Sequence, residues 1–243
     1  ASDAAEGLNP ETTPGTLVVV AHRGGQLSLF HDAEDGPRLL HVLTGLPLEP
    51  TGVTFDPSSH LLYLSVYARN TFRSELPRLL ARVGLSVESS AELKTSFAYN
   101  AGAIFIDGVA AQQDTRAIAV NPAKPGQLLV ASRDPAALLF VDTERMQSER
   151  SGTALTNFPA RDIVTVGSGP TRMALGRLGS RDVVAVSCFD GHQLYLIDAV
   201  TAEVLGVIHN LNGPFELAID NVRQRLYLAD FRSSSVQIID LSP

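Results

Sequence analysis

Short apolar runs alternate along the chain with polar turns that carry Pro, Gly, Asn or Asp, the pattern of many short strands in place of helices. The stretch GPFELAIDNVRQRLYLADFRSSSVQIID, residues 213–240, sets out the order: Gly-Pro, an apolar strand, a polar turn, a second strand, and a third that ends in Ile-Asp. The same order stands at 169–198 as GPTRMALGRLGSRDVVAVSCFDGHQLYLID. EPTGVTFDPSSHLLYLSVY from Glu49 and DTRAIAVNPAKPGQLLVASRDPAALLFVD from Asp114 repeat it, and GTLVVVAHRGGQLSLFHDAEDGPRLLHVL from Gly15 repeats its middle and end. Self-similarity at this period means a propeller or a solenoid.

Each unit reads physically as a blade. The first strands (52–55, 116–120, 172–175, 216–219) are short and mostly apolar, as expected of strands covered on both faces near an axis. Polar turns follow (DPSSH, NPAKPGQ, GRLGSR, DNVRQR), and then second strands rich in branched and aromatic residues (LLYLSV, LLVAS, VVAVSC, RLYLAD). A third strand closes on Asp142 or Asp198, where an Asx or Ser/Thr turn can cap the backbone before an outer strand such as EVLGVIHN. The fold class predicted is therefore all-β, a β-propeller of four-stranded antiparallel blades. Its units lie near 15–48, 49–112, 113–167, 168–212 and 213–243, one domain preceded by a flexible segment over 1–14.

The Pro, the apolar A-I pair, the polar turn, LYLAD and the closing V-x-I-I-D together resemble the YVTN-type β-propeller repeats of bacterial exported and surface-associated proteins, which are similar to the lactonase-like propellers. The resemblance runs from about Gly15 to Asp240 and is strongest after Asp114. It implies a fold, and leaves function open among enzymes, oxidoreductase subunits, surface proteins and binding scaffolds.

Two departures from an even array stand out. Between Tyr67 and Gln113 the second unit is longer than its neighbours, with an excursion over 68–100 in which RSELPRLLARVGL reads as a strand in preference to a brief helix. The units also count three strands, then four, four and four, then three. Either the ring has five blades, two of them three-stranded, or it is incomplete and belongs to a larger propeller whose remainder comes from elsewhere.

Composition narrows the function classes. A net charge of -7 over 243 residues, with Lys94 and Lys124 the only lysines, argues against a nucleic-acid surface. No apolar run is long enough to span a bilayer, and the small, acidic opening ASDAAEGLNPETTPGT resembles a mature end left by an export signal, so a periplasmic or cell-surface location is expected. Cys188 is the only cysteine and reads as a small buried apolar residue.

Chemistry is expected where inner strands begin and where second strands end. On the repeat register the inner positions are Gly52, Arg116, Arg172 and Glu216; the loop positions are His22, Arg23, Tyr67, Arg133, Asp134, Phe189, Asp190, His192, Asp230, Phe231 and Arg232. Arg116, Arg172 and Arg133 could hold a carboxylate or phosphate, but pairing among neighbours, Arg172 with Glu216 for instance, to keep blades in register is the preferred reading. A lactonase-type metal site needs acidic and amide ligands where this chain has Gly52, two arginines and one glutamate. His22 and His192 sit in equivalent loops without a third ligand, and no catalytic motif is present. The expectation is a non-enzymatic scaffold with no cofactor or metal, a protein partner or the rest of the same propeller bound to it, and 68–100 as its contact surface. The competing class is a lactonase-like hydrolase, or the propeller of a periplasmic oxidoreductase whose cofactor lies elsewhere.

Overall fold

The computed structural model describes residues 16–44, 50–56, 61–66, 80–87, 93–100, 105–106, 109–110, 114–143 and 160–242. Its first sheet holds β1 (Thr16–His22), β2 (Gln26–Ala33) and β3 (Gly36–Leu43); the second holds β4 (Pro50–Asp56), β5 (Leu61–Val66), β6 (Leu80–Val87) and β7 (Leu93–Asn100). A hairpin of β8 (Phe105–Ile106) and β9 (Val109–Ala110) follows. The third sheet holds β10 (Thr115–Val120), β11 (Gln127–Arg133), β12 (Ala136–Asp142) and β13 (Ala160–Thr165); the fourth holds β14 (Pro170–Leu178), β15 (Arg181–Cys188), β16 (Gln193–Asp198) and β17 (Val204–Ile208). The fifth holds β18 (Pro214–Asp220), β19 (Arg225–Asp230) and β20 (Ser235–Asp240), with a 3-10 turn, Phe231–Ser233, between the last two.

Each sheet is an antiparallel meander, and the strand counts of three, four, four, four and three agree with the repeat pattern. These are sheets of the kind that form propeller blades. Part of the stretch expected as an excursion is regular: β6 and β7 are the third and fourth strands of the second sheet. Their sequences explain it, since Ala81, Val83, Leu85 and Val87, then Leu93, Thr95, Phe97 and Tyr99, recur with the strand period of two. Residues 68–79, which include most of the predicted RSELPRLLARVGL strand's first half, lie outside the described residues.

The sheets stack in chain order through one recurring contact. In the third sheet successive residues of β11 face opposite neighbours: Leu128 and Val130 pack with Tyr63 of the second sheet, and Leu129 packs with Val184 and Val186 of the fourth. Leu138 and Phe140 of β12 join Leu129 there. One step on, Leu194 and Leu196 of β16 pack on Leu226 and Leu228 of β19. Third-strand residues of one sheet thus cover second-strand residues of the next. Among the described residues no packing comparable to these joins the fifth sheet to the first.

Polar groups tie the sheets where backbones approach. The Ser65 and Thr51 hydroxyls are bonded at 2.9 Å, and Thr51 Oγ1 donates to the Thr115 carbonyl of the next inner strand at 2.7 Å. Ser187, at the register position of Ser65, donates to the Phe215 carbonyl at 2.8 Å. Asn121 donates across sheets to the Ala199 carbonyl at 2.7 Å. These bonds satisfy buried carbonyls that the ladders leave over.

The Asx turn expected after the third strand is present at Asp198, whose Oδ1 accepts the Val200 and Thr201 N–H groups at 2.8 and 2.9 Å. Those bonds, the one from Thr201 foremost, hold the carboxyl below its ordinary value of 3.8. A folded-state value below the unfolded one stabilises the fold above 3.8, and the contribution is lost as the pH falls through the lowered value. Asp198→Ala is expected to cost about 1–2 kcal/mol in urea unfolding at neutral pH, with the gap to the parent chain narrowing in acid. An equal gap at both pH values would show that the ionised carboxylate is not what stabilises the turn.

Candidate functional site

At the end of the sheets where second strands finish, the loops after β15 and β19 adopt the same local form. Phe189 N–H donates to the Gly169 carbonyl and Phe231 N–H to the Gly213 carbonyl, both at 2.9 Å. Both glycines need the left-handed region, at φ +68° and +77°. A Cβ on Gly169 would fall 2.3 Å from Asp190 Oδ2, and one on Gly213 would fall 3.0 Å from both Phe189 and Arg232. The glycines therefore admit the loop side chains over the inner-strand starts.

Three phenylalanines meet in that space. Phe189, Phe215 and Phe231 lie with ring centroids 6.1–6.2 Å apart, Phe189 edge-on to Phe215. The Arg172 guanidinium stands 4.9 Å from the Phe215 centroid and that of Arg232 4.7 Å from the Phe189 centroid. Phe231 is 67% exposed although it belongs to this cluster. Arg172 Nε donates to Glu216 at 2.7 Å, the pairing preferred from the sequence, and it joins the fourth sheet to the fifth. Arg133 pairs with Asp190 at 2.6 Å and joins the third sheet to the fourth. Arg232 reaches His192 Nε2 at 3.4 Å, while His192 itself sits at φ 54°.

Asp230, His22 and Arg116 take other partners. Asp230 is buried: its two oxygens accept the Asn212 N–H at 2.7 and 3.0 Å and one accepts from Gln237 at 2.8 Å, which makes it a brace for the loop before β18. His22 lies on the first sheet, its Nε2 2.9 Å from Ser28 Oγ. Tyr67 lies outside the described residues. Arg116 donates to Asp114 at 2.5 Å and is one step out of the expected register. The pairing shifts between Thr115 and Ala117, so Ala117 opposite Ala131 corresponds to Arg172 opposite Ser187, and Arg116 occupies the bulge where the fourth sheet has Thr171.

Phe215 was not among the expected site residues. Its signal is a broken pattern, since residues 51, 115 and 171 just after the turn are all threonine and position 215 is phenylalanine. Cys188 is fully buried, and burial pushes its thiol up to about 12, so it is an apolar filler of the interface between the third and fourth sheets. Among the described residues no three His, Cys, Asp or Glu side chains come together as a metal-ligand group, and no helix is long and apolar enough to cross a membrane.

No family model and no curated protein matches the chain, and the YVTN resemblance stands on its motifs alone. Solved structures share its fold. A chain of the crystal structure of the mitotic checkpoint complex is similar at TM-score 0.58 and 12% identity over 92% of this chain. A functionally unknown protein from Desulfotomaculum acetoxidans DSM 771 is similar at TM-score 0.59 and 12% identity over 93%. This chain spans 59% of the first and 66% of the second, less than two thirds of either.

The Arg172–Glu216 pair is half-open to solvent, with side chains 34% and 59% exposed. A double-mutant cycle with alanine at both positions is expected to give a coupling of about 0.5 kcal/mol that shrinks as salt is added. A coupling above about 2 kcal/mol that ignores salt would mean the pair is shielded in solution.

Proposed function

We propose that the chain is a propeller-type scaffold that binds a protein partner through the loop end of its fourth and fifth sheets. One observation carries this reading: Phe231, 67% exposed, tops a packed trio of aromatic rings that Arg172 and Arg232 border. Aromatic and arginine side chains are the types that dominate binding energy at protein interfaces. Here the rings already support one another, so a partner would meet a preformed surface and little side-chain entropy would be lost on docking. The sheets beneath supply the rigidity, through Arg172–Glu216, Arg133–Asp190 and the brace at Asp230.

Likeness to a chain of the mitotic checkpoint complex adds that a sheet row of this shape occurs within an assembly, and it adds nothing about which partner this chain takes. An exported, surface-associated bacterial setting rests on the YVTN-like motifs. The partner surface suggested by the sequence, 68–100, gives way in this proposal to the loop end, since 80–87 and 93–100 are sheet strands.

The test is a displayed peptide library selected against the chain, with each binder remeasured on Phe231→Ala and Arg232→Ala. Truncating a hot-spot aromatic is expected to weaken most selected binders by about 30-fold, equivalent to about 2 kcal/mol, with the circular dichroism spectrum unchanged. Binders whose affinity ignores both substitutions would place the docking surface elsewhere.

A further inference from the structure

Arg232 differs from the arginines around it. Arg116, Arg133 and Arg172 each stand 2.5–2.7 Å from a carboxylate, on Asp114, Asp190 and Glu216. Among the described residues no carboxylate lies within ion-pair distance of Arg232. Its side chain makes one hydrogen-bond contact, to His192 Nε2 at 3.4 Å. A guanidinium carries donors only, so that imidazole nitrogen must accept and His192 is neutral in the contact. A long bond to a neutral acceptor leaves the charge largely uncompensated, whereas a carboxylate would give shorter, charge-assisted bonds.

The side chain is nevertheless held in place. Its backbone N–H donates to the Asn212 carbonyl at 2.9 Å. Its stem lies against Gly213, where a Cβ would come 3.0 Å from Arg232 Cγ, and its guanidinium stands 4.7 Å from the Phe189 centroid. An arginine stacked on an aromatic ring keeps N–H groups in its plane for a second partner and loses little freedom on taking one. Phe189 and His192 come from the loop after β15, Asn212 and Gly213 from the loop before β18. The head of Arg232 is therefore set between the fourth and fifth sheets, which pack on one another.

The acids of this end are engaged elsewhere. Asp190 is bonded to Arg133 and Glu216 to Arg172, while Asp230 is buried and accepts from Asn212 and Gln237. Asp134, exposed on the loop after β11, makes no ion pair with Arg232. What the aromatic trio has beside it is a positioned cation that lacks a counter-charge.

We propose that the loop end takes an acidic peptide, an Asp or Glu carboxylate of the partner bonding to Arg232 and an adjacent apolar side chain lying on Phe189 and Phe231. This names the chemistry of the partner and rests on the docking surface proposed above. A basic segment would meet an uncompensated cation at the same place and is selected against.

Peptides selected from the displayed library are the probe. Most are expected to carry Asp or Glu next to an apolar residue. Replacing that acid by its amide is expected to weaken binding to the parent chain about 10-fold and binding to Arg232→Gln less than about twofold. Added salt is expected to weaken acid-bearing peptides more on the parent than on Arg232→Gln, and Arg232→Lys, which keeps the charge without the planar fork, to recover part of the loss. The amide replacement on the parent chain needs no protein variant, so it decides the matter even if Arg232→Gln fails to fold by circular dichroism. A selection without acid-bearing binders, an amide replacement that costs nothing on the parent, or one that costs the same on both folded chains would each overturn the proposal. Binders that need Phe231 but carry no acid would remove the acidic partner and leave the docking surface standing; binders that ignore both Phe231→Ala and Arg232→Ala would remove the surface and the acidic partner together.

Discussion

The third and fourth sheets have apolar side chains on both of their faces, and a sheet so built is stabilised when a neighbour covers each side. β11 shows the constraint in its plainest form: Leu128, Leu129 and Val130 are fully buried and face alternate neighbours. The order of the row follows from it. So does the short inner strand, which must pass close enough to the next for the Ser187 hydroxyl to reach the Phe215 carbonyl.

What the loop end presents depends on this stacking. Arg172 and Glu216 come from inner strands of successive sheets, and Arg133 and Asp190 from the loop ends of successive sheets, so each ion pair exists only because the sheets are in register. Phe189 and Phe231 arise at equivalent positions of successive units, and the inner-strand Phe215 fills the gap between them. A repeated scaffold turns one residue type, used twice, into a contiguous surface.

The strand order was legible in the sequence because turns and apolar runs recur with the unit, and the Arg172–Glu216 pair was legible because both residues fall at one register position. The register of Arg116 was not, since the inner strands of the second to fifth sheets all begin with a pairing irregularity and nothing in DTRAIAV marks that it falls on Arg116 where the fourth sheet has Thr171. β6 and β7 were hidden by the long interval before them, although their alternation is regular. Phe215 was hidden because it departs from the repeat. Exposure of Val236 and Ile238 could not be read at all: their segment VQIID looks like LYLID, and only the missing neighbour separates a buried strand from an open one.

One face of the fifth sheet is covered by the fourth and the other is exposed. Leu228→Ala and Ile238→Ala, compared by urea unfolding, test this most directly. Leu228 is fully buried against the fourth sheet and its truncation is expected to cost about 3 kcal/mol; Ile238 is 60% exposed and its truncation is expected to cost less than about 0.5 kcal/mol. Losses of equal size at the two positions would mean that Ile238 is covered in the folded chain, and the one-sided packing of the fifth sheet described above would be wrong.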